Sequence, residues 1–494
     1  MNRIFAFVVC PLLISIISLV LYPWLQKVQT TTFPPSSFLS KFHLHYNISS
    51  FQQINTIQYH HKQSLQLLIQ QSNFQPFLLK NSPAKQWQAI SKWQNVSYLR
   101  HQLKDTPLQR VTTVLAGYPY YYAVSKRPLP LLDQSYQHTW WQHTIKKKQT
   151  FDTFLSRCAL NNLDSISTFY DYVQGWQNDF IKLQKDLLPQ DWSTLQTLAS
   201  SPSKSKRQIW MGCQINAGSH VHYDHSHNII TQLVGEKKFI LTPPNQWNKF
   251  RDNPRISRLV SFSQRNFSQY NNNNESLIAN SIVVILRPGD TLYLPPFWWH
   301  HVIAIHQGLT IGTNEFTEDP RIQLTSLLKM PLPTNVHVTN NNQTYRNTAA
   351  AMMLNILLKN ILKQSSTSKK HQRTGSNFMK RIYENRYRDG NHLQKNCKDT
   401  RKENVGINCN DMFLLDPILI EIIPQNEIHD LFEQINTFDN WQTDDRIYSL
   451  PSKDAVEMML ADYVEELVSY VAGPRNVCHY LLCYSDASSI HYVT

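Results

Sequence analysis

The sequence predicts a mainly β domain, a small barrel or sandwich with helices packed outside it. Between residues 207 and 316 the chain consists of short β-rich segments separated by turns that contain Gly and Pro. Helix-like segments precede this region. Hydrophobic residues occupy 41% of the 494 positions and aromatic residues 12%, which is enough for a core and excludes a globally disordered chain.

The order of elements follows from the spacing of apolar residues. A short helix is predicted at 64–69, an edge strand at 75–80 and a longer helix at 83–102. Two further helices are predicted around 151–158 and 176–188. Six strands are predicted after them, at 209–215, 227–234, 238–241, 281–286, 291–294 and 309–314.

Composition divides the chain into five regions. These are an apolar segment at 1–25, a polar stalk at 26–61, the globular domain at 62–330, a polar basic linker at 331–410 and an acidic, largely helical region at 411–494. The acidic region contains a strong helix prediction from Ser452 to Gly473, because apolar residues recur there every three to four positions.

The N-terminal segment from Ile4 to Leu25 is a run of 22 uncharged residues. About 20 apolar residues are enough for a helix to cross a bilayer, so the run predicts an uncleaved, single-pass membrane anchor. A cleaved signal peptide is the alternative. Both predict that the main domain lies in the lumen of the endoplasmic reticulum or Golgi, or outside the cell.

The formal net charge of +13 is unevenly distributed. Residues 359–403 contain 13 Lys/Arg against 4 Asp/Glu, whereas residues 411–494 contain 15 Asp/Glu against 3 Lys/Arg. A basic strip followed by an acidic segment indicates self-association or a solvated surface. Nucleic-acid binding is not predicted, because no basic motif with interleaved stacking aromatic residues is present.

Seven cysteines occur, and six of them lie outside the apolar N-terminal run. An even number is compatible with disulfides, and the natural local pairs are Cys397/Cys409 and Cys478/Cys483. Since no CxxC pair occurs, the cysteines predict disulfides or free thiols rather than a zinc site.

Two stretches carry the candidate chemistry. They read SHVHYDHSHN at 219–228 and RPGDTLYLPPFWWHH at 287–301. Residues two apart on a strand face the same way, so His222 and Asp224 can project together into the mouth of a barrel. A third imidazole from a later strand would complete a two-His, one-carboxylate face, which suits Fe(II) and leaves metal positions open. Zinc hydrolases also use three protein ligands, so the ligand types alone leave zinc chemistry open.

These stretches resemble the JmjC/cupin-8 group of Fe(II)- and 2-oxoglutarate-dependent oxygenases. The resemblance extends from about residue 62 to about residue 330. It implies a double-stranded β-helix, the jelly-roll of cupins, with flanking helices and a helical C-terminal region. It also implies that an HxD motif and a distal His bind Fe(II). By motif, these ligands are His222, Asp224 and His300. His301 is the alternative third ligand, because a register shift of one residue exchanges the two.

The same resemblance implies a set of contacts to 2-oxoglutarate. In the family a Lys at the start of the strand after HxD pairs with the distal carboxylate, and GEKKFIL supplies Lys237, with Lys238 as the alternative. Four polar residues match other co-substrate positions of the family: Ser219, Asn228, Asn314 and Tyr172. Glu315 departs from the pattern, since the family has an aromatic residue after the Asn.

The function implied by the resemblance is that of a 2-oxoglutarate-dependent dioxygenase, and the hypothesis is hydroxylation of a protein side chain. The alternatives are a non-catalytic, membrane-tethered cupin module that binds proteins, and a tRNA-modifying oxygenase. In related hydroxylases a C-terminal helical region dimerises, so the helix from Ser452 to Gly473 is the expected element of a homodimer.

Overall fold

Two β-sheets with helices around them make up the described structure. The computed structural model describes residues 52–60, 65–115, 144–162, 169–187, 375–388, 453–472 and 477–486, together with 206–317 apart from 216, 256, 258–259, 266–280 and 307. The strands are β1 Asn55–Gln58, β2 Phe77–Lys80, β3 Leu108–Leu115, β4 Thr144–Gln149, β5 Phe169–Trp176, β6 Lys206–Gly212, β7 His227–Val234, β8 Lys237–Thr242, β9 Ile282–Leu286, β10 Thr291–Leu294, β11 Trp299–Ala304 and β12 Thr310–Thr317.

The helices precede and follow this strand region. They are α1 Leu65–Gln71, α2 Gln88–Lys92, α3 Val96–Leu103, α4 Phe151–Asn162, α5 Trp247–Phe250, α6 Gly375–Arg386, α7 Lys453–Ala472 and α8 Val477–Asp486, with 3-10 helices at Pro83–Gln86, Gln177–Leu187 and Pro244–Gln246. The helix predicted at 83–102 is divided, because the Asn95 side chain accepts hydrogen bonds from the N–H groups of Ser97 and Tyr98 and so begins a new helix.

The sheets have the topology of a jelly-roll. The larger runs β1-β2-β10-β7-β12-β6-β5-β3-β4 and the smaller runs β11-β8-β9. Every described strand pair is antiparallel except β1 with β2. The central strand β7 is buried at all eight positions, as expected for a strand covered on both faces. The predicted double-stranded β-helix with flanking helices is confirmed.

Two apolar clusters cover the two faces of the larger sheet. On the helical side, Trp87 and Trp93 pack with Leu99, Phe154 and Leu233. On the other side a second cluster joins the two sheets, and its members are Ile230, Phe239, Leu241, Ile282, Val284, Leu286, Leu292, Leu294 and Trp298. The sheets are therefore held together by side chains beside the cavity described below.

The predicted and observed elements agree in some segments and differ in others. The strands predicted at 227–234 and 291–294 have the observed bounds. The predicted edge strand at 75–80 corresponds to β2, which is covered by β1, a strand inside the predicted stalk. The strands β3, β4, β5 and β11 were not predicted. In β5 the sequence FYDYVQGW carries no clear alternation.

A disulfide joins Cys158 of α4 to Cys213, directly after β6. The sequence predicted disulfides but not this pair, whose members lie 55 residues apart. Cys478 and Cys483 are each disulfide-bonded, and both lie on α8. Their predicted pairing with one another is wrong, because positions five apart on a helix are about 8 Å apart, beyond the 7 Å limit for a disulfide. Cys397 and Cys409 lie outside the described residues.

The C-terminal helices are packed against one another and against the domain that contains the strands. Helix α6 lies within the predicted linker, yet Phe378, Met379 and Ile382 are buried. Its Arg381 and Arg386 pair with acidic residues of α7, Glu457, Asp462 and Glu465. For these residues the expectation of a solvated or self-associating charge pattern is wrong, because the opposite charges meet in the interior of one chain.

The predicted anchor at 1–25 lies outside the described residues. Among the residues that the structure does describe, no helix combines the length and the apolar character needed to cross a membrane.

Candidate metal centre

Three predicted ligands lie together at the cavity between the two sheets. His222, Asp224 and His300 each offer a ligand atom, and these atoms all lie within 4.8 Å of one another. The His300 Nε2 atom is 3.7 Å from Asp224 Oδ2, and the rings of His222 and His300 have centroids 4.0 Å apart. Two imidazoles and one carboxylate form the facial set that binds non-haem Fe(II).

The backbone orients both imidazoles. The Nδ1 of His222 lies 2.7 Å from the carbonyl oxygen of His220, and the Nδ1 of His300 lies 3.0 Å from that of Trp298. A carbonyl only accepts, so each Nδ1 carries the proton and donates it, which leaves Nε2 as the metal-binding atom. Asn228 orients the carboxylate, since its Nδ2 donates to Asp224 Oδ2 at 3.2 Å.

Burial keeps the first imidazole in the metal-binding form. The pKa of His222 lies well below its ordinary value, because burial disfavours the charge and His300 adds electrostatic repulsion. The ring also stacks on Phe262, with centroids 4.9 Å apart. A neutral, fixed imidazole is the form that binds a metal.

The local backbone explains how the motif reaches the cavity. His222 and Asp224 precede β7 in an extended segment, and His222 forms an isolated bridge with His300 of β11. The two residues exchange both backbone hydrogen bonds, at 3.1 Å and 2.7 Å. His301 faces elsewhere, with its Nδ1 2.6 Å from the Ser219 carbonyl. The geometry therefore groups His300, and not His301, with the other two ligands.

Lys237 is a buried cation at the other end of the cavity. It is 5% exposed, and its Nζ donates to the Tyr172 hydroxyl at 3.3 Å. Within the described part of the chain no carboxylate lies within ion-pair distance of it. Burial lowers its pKa from 10.5 to about 8. A buried ammonium group with only a neutral neighbour fits a ligand that brings its own carboxylate.

The other four predicted co-substrate residues also line this cavity: Ser219, Asn228, Asn314 and Tyr172. The Asn314 Oδ1 accepts a hydrogen bond from Trp210 Nε1 at 2.7 Å, and the Ser219 hydroxyl accepts one from the Val302 N–H at 3.3 Å. Lys238 is absent from the lining of this cavity and follows Lys237 on the strand. The alternation of strand side chains therefore favours Lys237.

Glu315, which departs from the family pattern, is not part of the cavity lining. It forms a buried ion pair with Arg207, at 2.8 Å, across the β6–β12 register. Neighbouring strand residues point to opposite faces, so Asn314 faces the cavity and Glu315 faces away from it. The departure therefore changes the packing behind the sheet and leaves the cavity intact.

Sequence reasoning missed several cavity residues, among them Trp210, Gln232 and Gly312. Strand alternation could have identified Gly312, because it lies two residues before Asn314 on β12 and therefore faces the same way. A Cβ atom at Gly312 would lie 3.2 Å from Gln232 Oε1 and 3.6 Å from Lys237 Nζ. The glycine therefore leaves room beside the ammonium group.

Filling this space should weaken binding of a ligand beside Lys237. We expect Gly312→Val to raise the dissociation constant for 2-oxoglutarate by about tenfold or more, since overpacking costs roughly 1–3 kcal/mol. Gly312→Ala should have a smaller effect, because only the Cβ atom is added. Isothermal titration of both variants checks this order, and equal affinity of Gly312→Val and the unaltered protein would contradict it.

A family comparison agrees with the fold and the site. A family model described as "Cupin-like domain" matches residues 69–321, about half of the chain. The chain belongs to this family. The resemblance to JmjC and cupin oxygenases is confirmed by this match and by relatives that carry the JmjC name.

Several curated proteins are similar to this domain. The chain is 27% identical over 234 residues to "Jumonji C domain-containing protein 5" of Drosophila melanogaster, covering 46% of this chain and 51% of the relative. It is 23% identical over 240 residues to "Lysine-specific demethylase JMJ30" of Arabidopsis thaliana, covering 48% and 49%. It is 28% identical over 95 residues to "tRNA wybutosine-synthesizing protein 5" of Danio rerio, covering 19% and 28%. The chain thus spans about half or less of the length of these relatives.

The predicted location requires correction. The sequence predicted a single-pass membrane protein with a lumenal or extracellular catalytic domain. The finding against it is the set of relatives, which are named as Jumonji C, lysine-specific demethylase and tRNA wybutosine-synthesizing proteins. The physical reason for the error is that an apolar run reports whether a segment can enter a bilayer, not the compartment in which the domain works.

Proposed function

We propose that this chain is an Fe(II)- and 2-oxoglutarate-dependent dioxygenase that hydroxylates a protein side chain. One observation carries the proposal: the cavity contains the His222, Asp224 and His300 triad and, on a neighbouring strand, the buried cation Lys237. A metal site alone also suits zinc hydrolysis. A metal site with a separate carboxylate anchor suits a metal together with a dicarboxylate co-substrate.

The residues present fit both groups. The triad would supply three ligands to a bound metal, and its ligand atoms are oriented by hydrogen bonds from Asn228 and to two backbone carbonyls. Lys237 supplies the positive charge for the distal carboxylate, and Gly312 supplies the space beside it. The donor set is thus hard enough for Fe(II) and leaves positions for other ligands.

When bound, Fe(II) with 2-oxoglutarate and oxygen supplies the oxidising chemistry that converts a C–H bond into C–OH and the co-substrate into succinate and CO₂. The chain's residues bind and position. Lys237 and Tyr172 would hold one end of the co-substrate, the triad would hold the metal, and the apolar walls formed by Ile230, Phe239 and Val302 would exclude water.

Release of succinate tests the proposal. Purified protein with Fe(II), ascorbate and 2-oxoglutarate should form succinate at a slow basal rate, and Asp224→Ala should abolish it. Absence of turnover despite intact iron binding would instead support the alternative, a cupin module that binds proteins without catalysis.

The type of substrate is a separate question. The relatives' names include lysine-specific demethylases and tRNA-modifying proteins. Hydroxylation of a methyl group on lysine leads to its loss as formaldehyde, whereas hydroxylation of a side-chain carbon leaves a stable product. Mass spectrometry of candidate peptides distinguishes them: a gain of one oxygen atom supports our proposal, and loss of a methyl group or oxidation only of tRNA contradicts it.

The pKa of Lys237 predicts a pH dependence for co-substrate binding. The carboxylate pairs with the protonated amine, so affinity for 2-oxoglutarate should be constant below about pH 8 and fall about tenfold per pH unit above it.

The stability of the unliganded protein has the opposite trend. Since the pKa falls from 10.5 to about 8 on folding, the unfolded chain binds more protons between these values, and stability rises with pH there. Calorimetric titrations with 2-oxoglutarate from about pH 7 to 9.5 check the binding trend. An affinity that does not change with pH would contradict it.

A further inference from the structure

A buried charged cluster lies behind the metal ligands. It is centred on Arg386 of α6, which is fully buried, and we call it the Arg386 cluster: Arg386, Asp252, Asp462 and Glu465. The Arg386 Nη2 lies 2.6 Å from Asp252 Oδ2 and 2.7 Å from Asp462 Oδ1, and Nη1 contacts Glu465. Burial opposes the charge of Arg386, but the carboxylates of Asp252, Glu465 and Asp462 outweigh it and raise its pKa.

Two residues connect this cluster to the metal-binding segment. The Tyr223 hydroxyl donates to Asp252 Oδ2 at 3.1 Å, and the His225 Nε2 lies 3.0 Å from Asp462 Oδ2. These two residues flank Asp224. In an extended segment alternate side chains face opposite ways, so Asp224 faces the cavity while both of its neighbours face the cluster.

The same layer also supports the third ligand. The Tyr223 ring packs edge-on against Trp299, with centroids 4.8 Å apart, and Trp299 directly precedes His300. Phe297 packs on the rings of Tyr223 and His225 at 5.6 Å and 5.2 Å. The residues beside two ligands are therefore fixed by one set of contacts.

The cluster is built by elements distant in the sequence. Asp252 follows α5, Arg386 ends α6 and Asp462 lies within α7. Gln264 ties them further, since its Nε2 donates to the carbonyl oxygens of Asp252 and Arg386 at 2.7 Å and 2.6 Å. The C-terminal helices thus complete the support of the metal-binding segment from behind.

We propose that Arg386 and Asp462 are positioning residues, a proposal that rests on the proposed function. Through Tyr223 and His225 they fix Asp224 in the orientation that binds the metal. The C-terminal helices are then part of the catalytic unit and not a separate region. A purely structural ion cluster predicts lower stability alone, whereas a positioning cluster also predicts weaker metal binding and an altered metal environment.

The test measures metal affinity and thermal stability of the full chain, with Co(II) as an absorbing substitute for Fe(II). We expect Asp462→Asn to weaken Co(II) binding by about tenfold, the lower end of the effect of losing a direct partner of a metal ligand, because Asp462 acts through His225, and to change the Co(II) absorption spectrum. His225→Leu tests the same contact at a partly exposed side chain, so it serves if Asp462→Asn does not fold.

The matched control is Asp186→Asn. Asp186 is also fully buried and accepts hydrogen bonds from Trp93 and Tyr98, but it contacts no residue of the site. It should lower the melting temperature and leave Co(II) affinity within about twofold of the unaltered protein, below the effect of a lost ligand partner. Unchanged Co(II) affinity and spectrum in both Asp462→Asn and His225→Leu would overturn the inference. If the unaltered protein itself fails to bind Co(II), the proposed function fails instead.

Discussion

Replacement of His300 by alanine is expected to abolish succinate formation and to weaken Fe(II) binding by about a hundredfold or more, since a direct ligand contributes at least as much as its hydrogen-bond partners. Its Nε2 atom completes the ligand set with His222 and Asp224, and its Nδ1 atom donates to the Trp298 carbonyl. Alanine removes this ligand, so only His222 and Asp224 would remain to hold the metal.

His301→Ala is the matched control for this prediction. The residue is adjacent, and its imidazole contacts the Ser219 carbonyl and not the other ligands. Burial lowers the pKa of His301 to about 4, so it is neutral, and alanine at this position removes no charge. Iron binding in His301→Ala should stay close to that of the unaltered protein. Loss of iron in His301→Ala with retention in His300→Ala would place the third ligand one residue further on.

Replacement of Lys237 by methionine is expected to have the second largest effect. A hydrogen bond to a charged group contributes about 1.5–3 kcal/mol, so the Michaelis constant for 2-oxoglutarate should rise by about 10–150-fold. The unliganded variant should melt at a higher temperature, because a buried ammonium group paired only with the Tyr172 hydroxyl is replaced by an apolar chain of similar length. Opposite changes in affinity and stability are typical of a residue retained for binding.

The neighbouring Lys238→Met variant separates this role from general loss of positive charge. Lys238 is partly exposed and does not line the cavity. Steady-state kinetics of both variants should show a raised Michaelis constant only in Lys237→Met. A similar rise in both, or none in either, would show that the anchor is elsewhere.

The sequence predicted several strands around the site, because turn residues and alternating side chains define them locally, but it did not predict β11, which carries His300. The segments at 227–234 and 291–294 have the predicted bounds. β5 was harder to predict, since Tyr170, Tyr172 and Asp171 are all buried and its two faces have no polar contrast. Tyr172 reaches Lys237 because β5 pairs with β6. This pairing joins strands that are distant in the sequence, so the local pattern does not reveal it.

The charged C-terminal segments show what sequence patterns do not reveal. Arg386 and Asp462 carry the signature of solvated residues, and helix α7 was predicted from its apolar face alone. In the structure both residues are fully buried, because helices whose charged residues lie 76 positions apart in the sequence bring opposite charges together. Periodicity cannot separate a buried ion pair from a solvated one. A homodimer through α7 stays a prediction.

The proposed function requires that one cavity bind both a metal and 2-oxoglutarate. Anaerobic titration of the Fe(II)-loaded protein with 2-oxoglutarate tests it most directly, because chelation of Fe(II) by a keto acid gives a visible charge-transfer absorption. We expect a saturable band with one co-substrate per chain, absent in His300→Ala and shifted to higher concentration in Lys237→Met. An Fe(II)-loaded protein that shows no such band at saturating 2-oxoglutarate would contradict the account.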